Sequence, residues 1–380
     1  MARIGCCAVI VFMLAMALFM TAAPSADAKV PTQAYGLSAT SAGMPLAFTP
    51  HAPIFIGNDS GFNATNGVSG GAGTSADPFV IEGLEIDANG SDYAISVLGT
   101  NAHFIVRNCR LFNATASTGS SGIRFDMVKN ATIFNNDCSM NNFSMDIMAS
   151  ADSVIDSNTC NISQQGIIIE YSRNITAHNN TACGNQFYGL CSDHCGFNNL
   201  NYNNASDNGM IGIYLFSADN CTLRNNTVAC NNQTGIRVYD SNNNTITGNL
   251  IRNSTFYGIH VSTFGGKSVF NHIHHNILIN NNGAGTVRDS AHVQAWDSTT
   301  YNRWNDSAQG NYWGDWTGPD ASPKDGIVDS PYAIDGGGSV QDNYPLTSPP
   351  YDVVPDMAAL ALMGAVLGTL AIVAVARRKD

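Results

Sequence analysis

The chain has 380 residues, of which 12% are charged and 44% hydrophobic, and glycine (36 residues), asparagine and serine largely replace lysine and glutamate. Its formal net charge is -12, and it lacks the clustered lysines and arginines that hold phosphates, so nucleic acid is excluded as an expected partner. Divalent cations or neutral sugars fit this composition better.

The first 28 residues have the organisation of a secretory signal peptide. Arg3 precedes an apolar run from Cys6 to Met20, and Ala26-Asp27-Ala28 has the small-x-small pattern of a signal-peptidase site. We therefore expect residues 1–28 to be removed and the mature chain, starting near Lys29, to be exported.

A repeat occupies the longest part of the chain. Residues 29–75 are expected to form its entry and N-terminal cap, and residues 76–285 the repeat itself. A small residue returns at intervals of 22 or 23 positions, at Gly122, Ser144, Gly166, Gly189, Gly212, Gly235 and Gly258. A spacing this regular indicates one repetitive structure instead of several separate domains. We attribute the glycines to a bend at the strand entry in which a β-carbon would be strained.

Each repeat predicts a strand with one buried side. The first and third residues after the small residue are apolar in nearly every copy, as in Ile123 and Phe125 or Ile236 and Val238. Period two is typical of a strand, and the unit is too short for a strand-helix-strand crossover. The sequence therefore predicts an all-β fold, a right-handed parallel β-helix solenoid of about nine or ten coils of 22–23 residues.

An asparagine column marks one turn of every coil. We predict that it contains Asn136, Asn158, Asn180, Asn204, Asn226, Asn249 and Asn276, and that Asn108 extends it toward the N-terminus. Asparagine tolerates left-handed turns, and its amide can donate to one neighbouring coil while it accepts from the other. Three residues before these asparagines runs an apolar column that Asn201 interrupts.

The remaining chain predicts a cap, a stalk and an anchor. Residues 286–347 contain Asn311-Tyr312-Trp313-Gly314 and are expected to cap the solenoid, with Trp304, Trp313 and Trp316 over its open end. Residues 348–356 form a proline-rich stalk. Residues 357–380 predict a transmembrane helix or sorting tail, because about twenty apolar or small residues precede Arg377-Arg378-Lys379. A buried core helix is the alternative for this last segment.

These features resemble the NosD-like family of right-handed parallel β-helices, named for a periplasmic protein linked to copper delivery. The resemblance rests on the Gly-Ile-x-Ile/Val strands, the Asn-Asn turns, the segment from Asn66 to Glu82 and the motifs from Asn311 to Asp320 and Asp342 to Leu346. It covers roughly residues 50–347. The tail is similar to the sorting tails of archaeal and bacterial surface proteins, which together with the repeat implies an archaeal-type cell-surface member. Members of this family have surface, binding and enzymatic roles alike.

Three sets of residues are candidates for chemistry, and the first two are predicted to lie on the outward side of the first strand. Asp126, Asp146 and Glu170 lie in successive coils, and paired carboxylates suit the cleavage of glycosidic bonds, with Arg124 beside them to polarise a substrate. The alternative is that these acids are solvated surface residues.

Aromatic residues form the second set. Tyr214, Phe216 and Tyr239 are predicted to share one stretch of the outward face, with Tyr171 near them, and planar rings stack against sugar faces. The alternative is the ordinary preference of aromatic residues for strands.

A soft metal site is the third. Cys191, His194 and Cys195 lie together in the sequence Leu190-Cys-Ser-Asp-His-Cys, and His272, His274 and His275 add imidazoles elsewhere. The spacing matches no structural zinc pattern, and a disulfide between Cys191 and Cys195 would consume the ligands. Copper is the cofactor that this set would bind, whereas Ca²⁺ would suit the acids of the cap: Asp315, Asp320, Asp325, Asp329 and Asp335.

Two further features concern the exported chain. Cys138 and Cys160 are predicted to point inward from neighbouring coils, either as a disulfide or as two buried thiols. Many Asn-x-Ser/Thr sequons, among them Asn63 and Asn305, make glycosylation an expectation for some sites.

The sequence thus predicts an exported, membrane-anchored solenoid at the cell surface. Its expected function is to bind polysaccharide or envelope glycoprotein, or to serve a structural or adhesive role, without catalysis. The first alternative is a polysaccharide lyase or glycoside hydrolase that uses the outward carboxylates. The second is copper or other metal handling of the kind that the family name indicates.

Overall fold

The computed structural model describes residues 47–350, and these form a parallel β-solenoid of about nine turns. Each coil passes along three sides in turn, two of which are 10-stranded sheets, and the hydrophobic core fills the space between them. The all-β solenoid architecture predicted from the repeat is therefore confirmed. Short 3₁₀ segments lie at Asp59–Gly61, Ala64–Asn66 and Asn281–Gly283.

The first sheet has 10 strands, and all of its pairings are parallel. Its longer strands begin one residue before the repeating small residue. After that residue, the apolar side chains at every second position point into the core. The strands are Ile54–Ile56, Tyr93–Leu98, Ser121–Asp126, Phe143–Met148, Gln165–Glu170, Tyr188–Asp193, Ile211–Phe216, Thr234–Tyr239, Ile259–Ser262 and Ala295–Asp297.

The second sheet also has 10 strands, all parallel except the first pair. They are Val68–Gly70, Phe79–Glu82, Phe104–Arg107, Ala131–Phe134, Ala151–Asp156, Arg173–His178, Asn199–Asn201, Thr222–Arg224, Thr245–Thr247 and His272–His274. Its inward residues carry the apolar column that precedes the asparagine turn.

The third side is built from short strands and single bridges. The strands are Thr49–Pro50, Leu84–Asp87, Arg110–Phe112, Thr227–Ala229, Leu250–Arg252, Ile277–Ile279 and Tyr312–Trp313. Bridges through Asp137, Thr159, Thr181 and Asn204 connect the two groups. An antiparallel pair, Tyr332–Ala333 with Gln341–Asp342, lies near the C-terminal end.

The asparagine column exists, but two of its predicted members are wrong. Asn180 donates from its backbone N and its Nδ2 to Oδ1 of Asn203, and Asn203 donates to Asn226 in the same way, so Asn203 occupies the column and Asn204 lies beside it. The residue three positions earlier is then the buried Leu200, and the apolar column is continuous. At the other end Asn136 Oδ1 accepts from the backbone N of Cys109, whereas Asn108 pairs with Asn135.

The glycines serve close packing, which differs from the strained bend expected of them. Gly122, Gly189, Gly212 and Gly258 lack the positive φ of a left-handed turn. A β-carbon on Gly189 would lie 2.7 Å from Nδ2 of Asn208 and 2.7 Å from the carbonyl oxygen of Gly212. Ser144 fits the same column because its inward partner is the small Ser163, with the two hydroxyl oxygens 2.9 Å apart.

Three rows of stacked amides run along the solenoid, and each ends on a buried carboxylate. The asparagine column continues from Asn276 through Asn311 to Asp342. A second row passes through Asn271 and Asn302 to Asp297. The third passes through Asn281 and Gln294 to Asp315. The buried side-chain amides of these rows are thereby paired from coil to coil.

Aromatic residues pack around this C-terminal end. Trp304 and Trp313 are buried, and their indole nitrogens donate to Asp297 and Asp342. Trp313 stacks on Tyr332 with ring centroids 3.9 Å apart, and Trp316 contacts the edge of the same ring. The signal peptide, most of the stalk and the anchor predicted from sequence lie outside the described residues. Between residues 47 and 350 there is no helix long and apolar enough to cross a membrane.

Candidate functional site

The outward side of the first sheet carries two rows of side chains. The fourth and sixth residues of the six-residue strands point away from the core, because the third and fifth are the inward apolar residues. The fourth-position row is Arg124, Asp146, Ile168, Cys191, Tyr214 and Arg237. The sixth-position row is Asp126, Met148, Glu170, Asp193, Phe216 and Tyr239. The three predicted carboxylates and the three predicted aromatic residues thus lie on one continuous face.

The four acids in these rows form an acidic patch, defined as Asp126, Asp146, Glu170 and Asp193. Asp146 is 6% exposed, and its Oδ2 lies 3.9 Å from Nε of Arg124. Its other oxygen, Oδ1, is buried without a hydrogen-bond partner among the described residues. A buried carboxylate oxygen without a partner is costly, and this cost favours the protonated form of Asp146.

The surroundings of the acidic patch favour protonated carboxyls. Burial raises the pKa of Glu170 to about 7, and the negative charges of Asp146 and Asp193 add to this effect while Arg124 opposes it. Burial also raises the pKa of Asp146 to about 6, with Arg124 opposing and Asp126 adding to the shift. The pKa values of Asp126 and Asp193 are raised by burial as well. Carboxyls that exchange protons near neutral pH are suited to general acid and base chemistry.

An aromatic patch adjoins the acids in the next coils, and we define it as Tyr188, Tyr214, Phe216 and Tyr239. Tyr188 meets Tyr214 edge to face at 5.4 Å between centroids, and Tyr214 is nearly parallel to Phe216 at 5.8 Å. Phe216 meets Tyr239 at 5.6 Å. The rings therefore form an unbroken, half-buried surface across three coils.

A guanidinium group lies within the aromatic patch. The Arg237 carbon Cζ is 5.2 Å from the ring centroid of Tyr239 and 5.9 Å from that of Tyr214. Cation–π contacts of this kind place the guanidinium against the rings, and its Nε is buried without a hydrogen-bond partner among the described residues. The patch thus combines apolar ring faces with hydrogen-bond donors.

Sequence reasoning missed Tyr188 and Arg237 as members of this surface. Arg237 has the same strand position as Tyr214, so the period of two applied to every copy would have found it. Tyr188 precedes the repeating glycine, and its side chain reaches the face from the first position of its strand. The expected neighbour Tyr171 lies at the edge, where it stacks on His194 at 5.0 Å, and His194 in turn meets Phe216 at 5.4 Å.

The residues of the predicted soft metal site have three different surroundings. Cys191 is on the outward face but nearly covered, and burial raises the pKa of its thiol well above the usual range. Cys195 turns inward, where its Sγ donates to the carbonyl oxygen of Ile169 at 3.3 Å. His194 is exposed and its Nδ1 lies 2.5 Å from Oδ1 of Asp193. Cys191 thus faces outward and Cys195 inward, and a metal site at these three residues stays a prediction.

The remaining candidates have structural partners. Cys138 and Cys160 are buried free thiols in neighbouring coils. In the cap, Asp315 accepts from Gln294 and Tyr332, and Asp320 accepts from the backbone of Asp325 and Gly326. These hydrogen bonds engage the cap carboxylates that were expected to suit Ca²⁺.

Comparison with known proteins identifies a family. A family model described as periplasmic copper-binding protein (NosD) matches residues 107–318, which is more than half of the chain. No curated protein matches the chain significantly.

Several solved structures are similar at low identity. A periplasmic alginate epimerase, AlgG, is 14% identical with a TM-score of 0.45, over 67% of this chain and 68% of that one. A pectate lyase, Pel9A, is 14% identical with a TM-score of 0.48, over 81% and 80%. The Dettilon tailspike protein is 14% identical with a TM-score of 0.39, over 69% and 61%.

Proposed function

This chain belongs to the periplasmic copper-binding protein (NosD) family, and we propose that it is an exported surface protein that binds polysaccharide along the outward face of its first sheet. The observation that carries the proposal is the aromatic patch with Arg237 across three adjacent coils. Consecutive coils lie about 4.8 Å apart, which is close to the length of one sugar residue in an extended glycan. Rings at this spacing can each cover one sugar face.

The charges of the face suit a neutral glycan. The chain has a formal net charge of -12, and the acidic patch adjoins the aromatic patch, so an anionic polymer would be repelled unless cations accompany it. Sugar hydroxyls donate hydrogen bonds to carboxylates and accept them from guanidinium groups. The partly exposed carboxyls of Asp126, Glu170 and Asp193 can accept such bonds.

Export and anchoring are part of the same proposal. The signal peptide at 1–28 would direct export and be removed. The stalk at 348–356 and the anchor at 357–380 would then hold the solenoid, with its entry at 29–75 and cap at 286–347, outside the membrane. The right-handed winding and the archaeal-type tail likewise remain predictions from the sequence. They rest on the residue patterns given above.

A second candidate, chemistry on the bound glycan, is favoured by one observation. Asp146 and Glu170 lie in adjacent coils, and their pKa values, raised to about 6 and about 7, let one carboxyl be protonated while the other is ionised near neutral pH. Such a pair can act as acid and base toward a glycosidic linkage. Arg124 would stabilise negative charge that develops on the substrate.

The test is polysaccharide retention by the purified full chain, with released sugars assayed in the same samples. We expect retention of at least one neutral polysaccharide, and a loss of about 10-fold or more in Tyr214→Ala/Tyr239→Ala, because each stacked ring contributes on the order of 1 kcal/mol. Tyr202→Ala, which removes an exposed ring that contacts His178 on the second sheet, is the matched control.

The possible outcomes separate the candidates. Retention without release supports binding, and release that Asp146→Asn abolishes supports the acid-base candidate. Equal retention by the double variant and the wild type would contradict the aromatic patch as the binding surface.

A further inference from the structure

Three histidines and one aspartate come together on the outward side of the second sheet, away from the face described above. His272 and His274 lie on the strand His272–His274, His275 is the next residue, and Asp306 belongs to a loop of the following coil. The ligand atoms of His274, His275 and Asp306 all lie within 4.8 Å of one another. We propose that His274, His275 and Asp306 bind a first-row divalent transition metal ion of the Cu²⁺ and Zn²⁺ class. This site does not depend on the proposed glycan binding.

The two imidazoles approach each other through nitrogen atoms. His274 Nδ1 lies 2.5 Å from His275 Nδ1, and Oδ2 of Asp306 lies 4.0 Å and 3.8 Å from these two atoms. Two nitrogen lone pairs repel at this distance unless a proton or a cation lies between or beside them. Nitrogen and carboxylate ligands together are the set that Cu²⁺ and Zn²⁺ favour.

A neighbouring amide fixes which nitrogen of His275 is free. Its Nε2 lies 2.9 Å from Oε1 of Gln309, and because a carbonyl oxygen accepts, Nε2 carries the proton. His275 Nδ1 therefore presents a lone pair to the centre of the cluster. A hydrogen bond from the far nitrogen of a histidine is the usual outer support of a metal ligand.

The carboxylate is oriented by the backbone. Oδ1 of Asp306 accepts from the backbone N–H groups of Ala308 and Gln309, each at 2.7 Å. These bonds hold the side chain so that Oδ2 is the oxygen that faces the two imidazoles. The same short loop thus supplies one ligand and the amide that orients another.

The positions of the protons suit ligation. His275 carries its proton on Nε2, so the short contact between the two Nδ1 atoms is a hydrogen bond that His274 donates. In the absence of metal, the proton on His274 Nδ1 satisfies the lone pair of His275. A bound ion would take the place of this proton between the two rings, and His274 would then carry its proton on Nε2.

The third imidazole completes the surroundings. His272 lies against His274 with ring centroids 4.2 Å apart, and its Nε2 donates to the carbonyl oxygen of Asn305 at 3.1 Å. Three protein ligands leave one position of a tetrahedral ion for water or another donor. Hard ions such as Ca²⁺ require six or more oxygen ligands, so the cluster should discriminate against them.

The test is titration of the full chain with Zn²⁺ and Cu²⁺ after chelator treatment and dialysis, with Ca²⁺ as the counter-probe. We expect one transition-metal ion per chain at this site, Cu²⁺ more tightly than Zn²⁺, and no Ca²⁺. His274→Gln/His275→Gln should weaken binding by about 100-fold or more, and Asp306→Asn by about 10-fold. His292→Gln, which removes an exposed histidine paired with Asp289, is the matched control.

A spectroscopic readout separates this site from other histidines and cysteines of the chain. The electron paramagnetic resonance spectrum of the Cu²⁺ form should show coupling to two imidazole nitrogens, and the double variant should lose it. The melting temperature of each variant without metal checks that it folds. The proposal is overturned if the wild type binds no ion, or if folded double variant and Asp306→Asn both bind Cu²⁺ as the wild type does.

Discussion

Asp146 and Arg124 lie in neighbouring coils with Oδ2 and Nε 3.9 Å apart, and this contact leaves the second oxygen of the carboxylate buried and unpaired. The arginine therefore compensates the charge of Asp146 in part, and the acids around it remain under mutual repulsion. Burial and this repulsion raise the pKa values of Asp146 and Glu170.

The first prediction is a pH dependence of stability. Glu170 binds its proton more tightly in the folded chain, where its pKa is about 7, than in the unfolded chain, where it is 4.5. Its contribution to the free energy of unfolding is therefore full below about pH 4.5 and is lost as the pH rises through 7. Glu170→Gln should gain about 1 kcal/mol relative to the wild type between pH 4.5 and 8, allowing for solvent screening.

Denaturant unfolding at several pH values measures this difference. Asp156→Asn, on the outward side of the second sheet, is the control for the loss of one acidic side chain outside the acidic patch. A Glu170→Gln profile parallel to that of the wild type would contradict the repulsion within the acidic patch.

The second prediction distinguishes two adjacent asparagines. Asn203→Ala should lower the free energy of unfolding by about 2–4 kcal/mol, because it leaves the buried N–H groups of Asn180 without an acceptor and the carbonyl oxygen of Ala177 without a donor. Asn204→Ala removes one side-chain bond from Ser206 and should cost about 1 kcal/mol or less. Equal losses in urea unfolding would refute the assignment of the column.

The third prediction concerns the packing of the repeating glycine. Gly189→Ala should destabilise the fold by about 1–3 kcal/mol, since the new β-carbon would lie 2.7 Å from both Asn208 Nδ2 and the Gly212 carbonyl oxygen. At Gly196 the nearest atom would be 3.5 Å away, and neither glycine has a positive φ. Gly196→Ala should therefore change stability by about 0.5 kcal/mol or less, and thermal unfolding of the two variants decides the point.

The fourth prediction is selective thiol labelling. Cys230 is the exposed cysteine among the eight that the structure describes, and the other seven are buried. Burial raises the pKa of Cys109 and Cys183 to about 11, so their thiolates are scarce at pH 8. Iodoacetamide on the native chain, followed by peptide mapping, should modify Cys230 first. Fast labelling of Cys138 or Cys160 would contradict their burial.

The sequence predicts the coil well because burial sets both of its repeating patterns. Apolar residues alternate within each strand, and a small residue returns every 22 or 23 positions. The error at Asn204 arises because two asparagines are adjacent and both suit a turn. The constant interval of 23 residues from Asn180 to Asn203 and on to Asn226 would have resolved it. The sequence does not show why a serine can replace the glycine at position 144, because its small partner, Ser163, lies on another side of the coil.

The sequence predicts which residues share the candidate face better than it predicts their burial and their neighbours. Strand alternation alone places Asp126, Asp146 and Glu170 with Tyr214, Phe216 and Tyr239 on one face. It does not reveal that Asp146 is buried, because its cover comes from neighbouring side chains in other coils. Nor does it place Asp306 beside His274 and His275, because the chain segment between them is longer than the regular repeat of 22 or 23 residues.

The three amide rows give the solenoid a direction. Within the column, each Asn side chain donates to the Oδ1 of the next asparagine on its C-terminal side, in addition to a backbone carbonyl of the preceding coil. The last amide donates to Asp342, and the other two rows end on Asp297 and Asp315 in the same way. A carboxylate accepts without donating onward, which terminates each row. An interior coil can therefore be duplicated or deleted without disturbing this arrangement, whereas a coil added after the acids would begin on acceptors that have nothing to donate. Coils can thus be added in the middle of the solenoid but not after its C-terminal carboxylates.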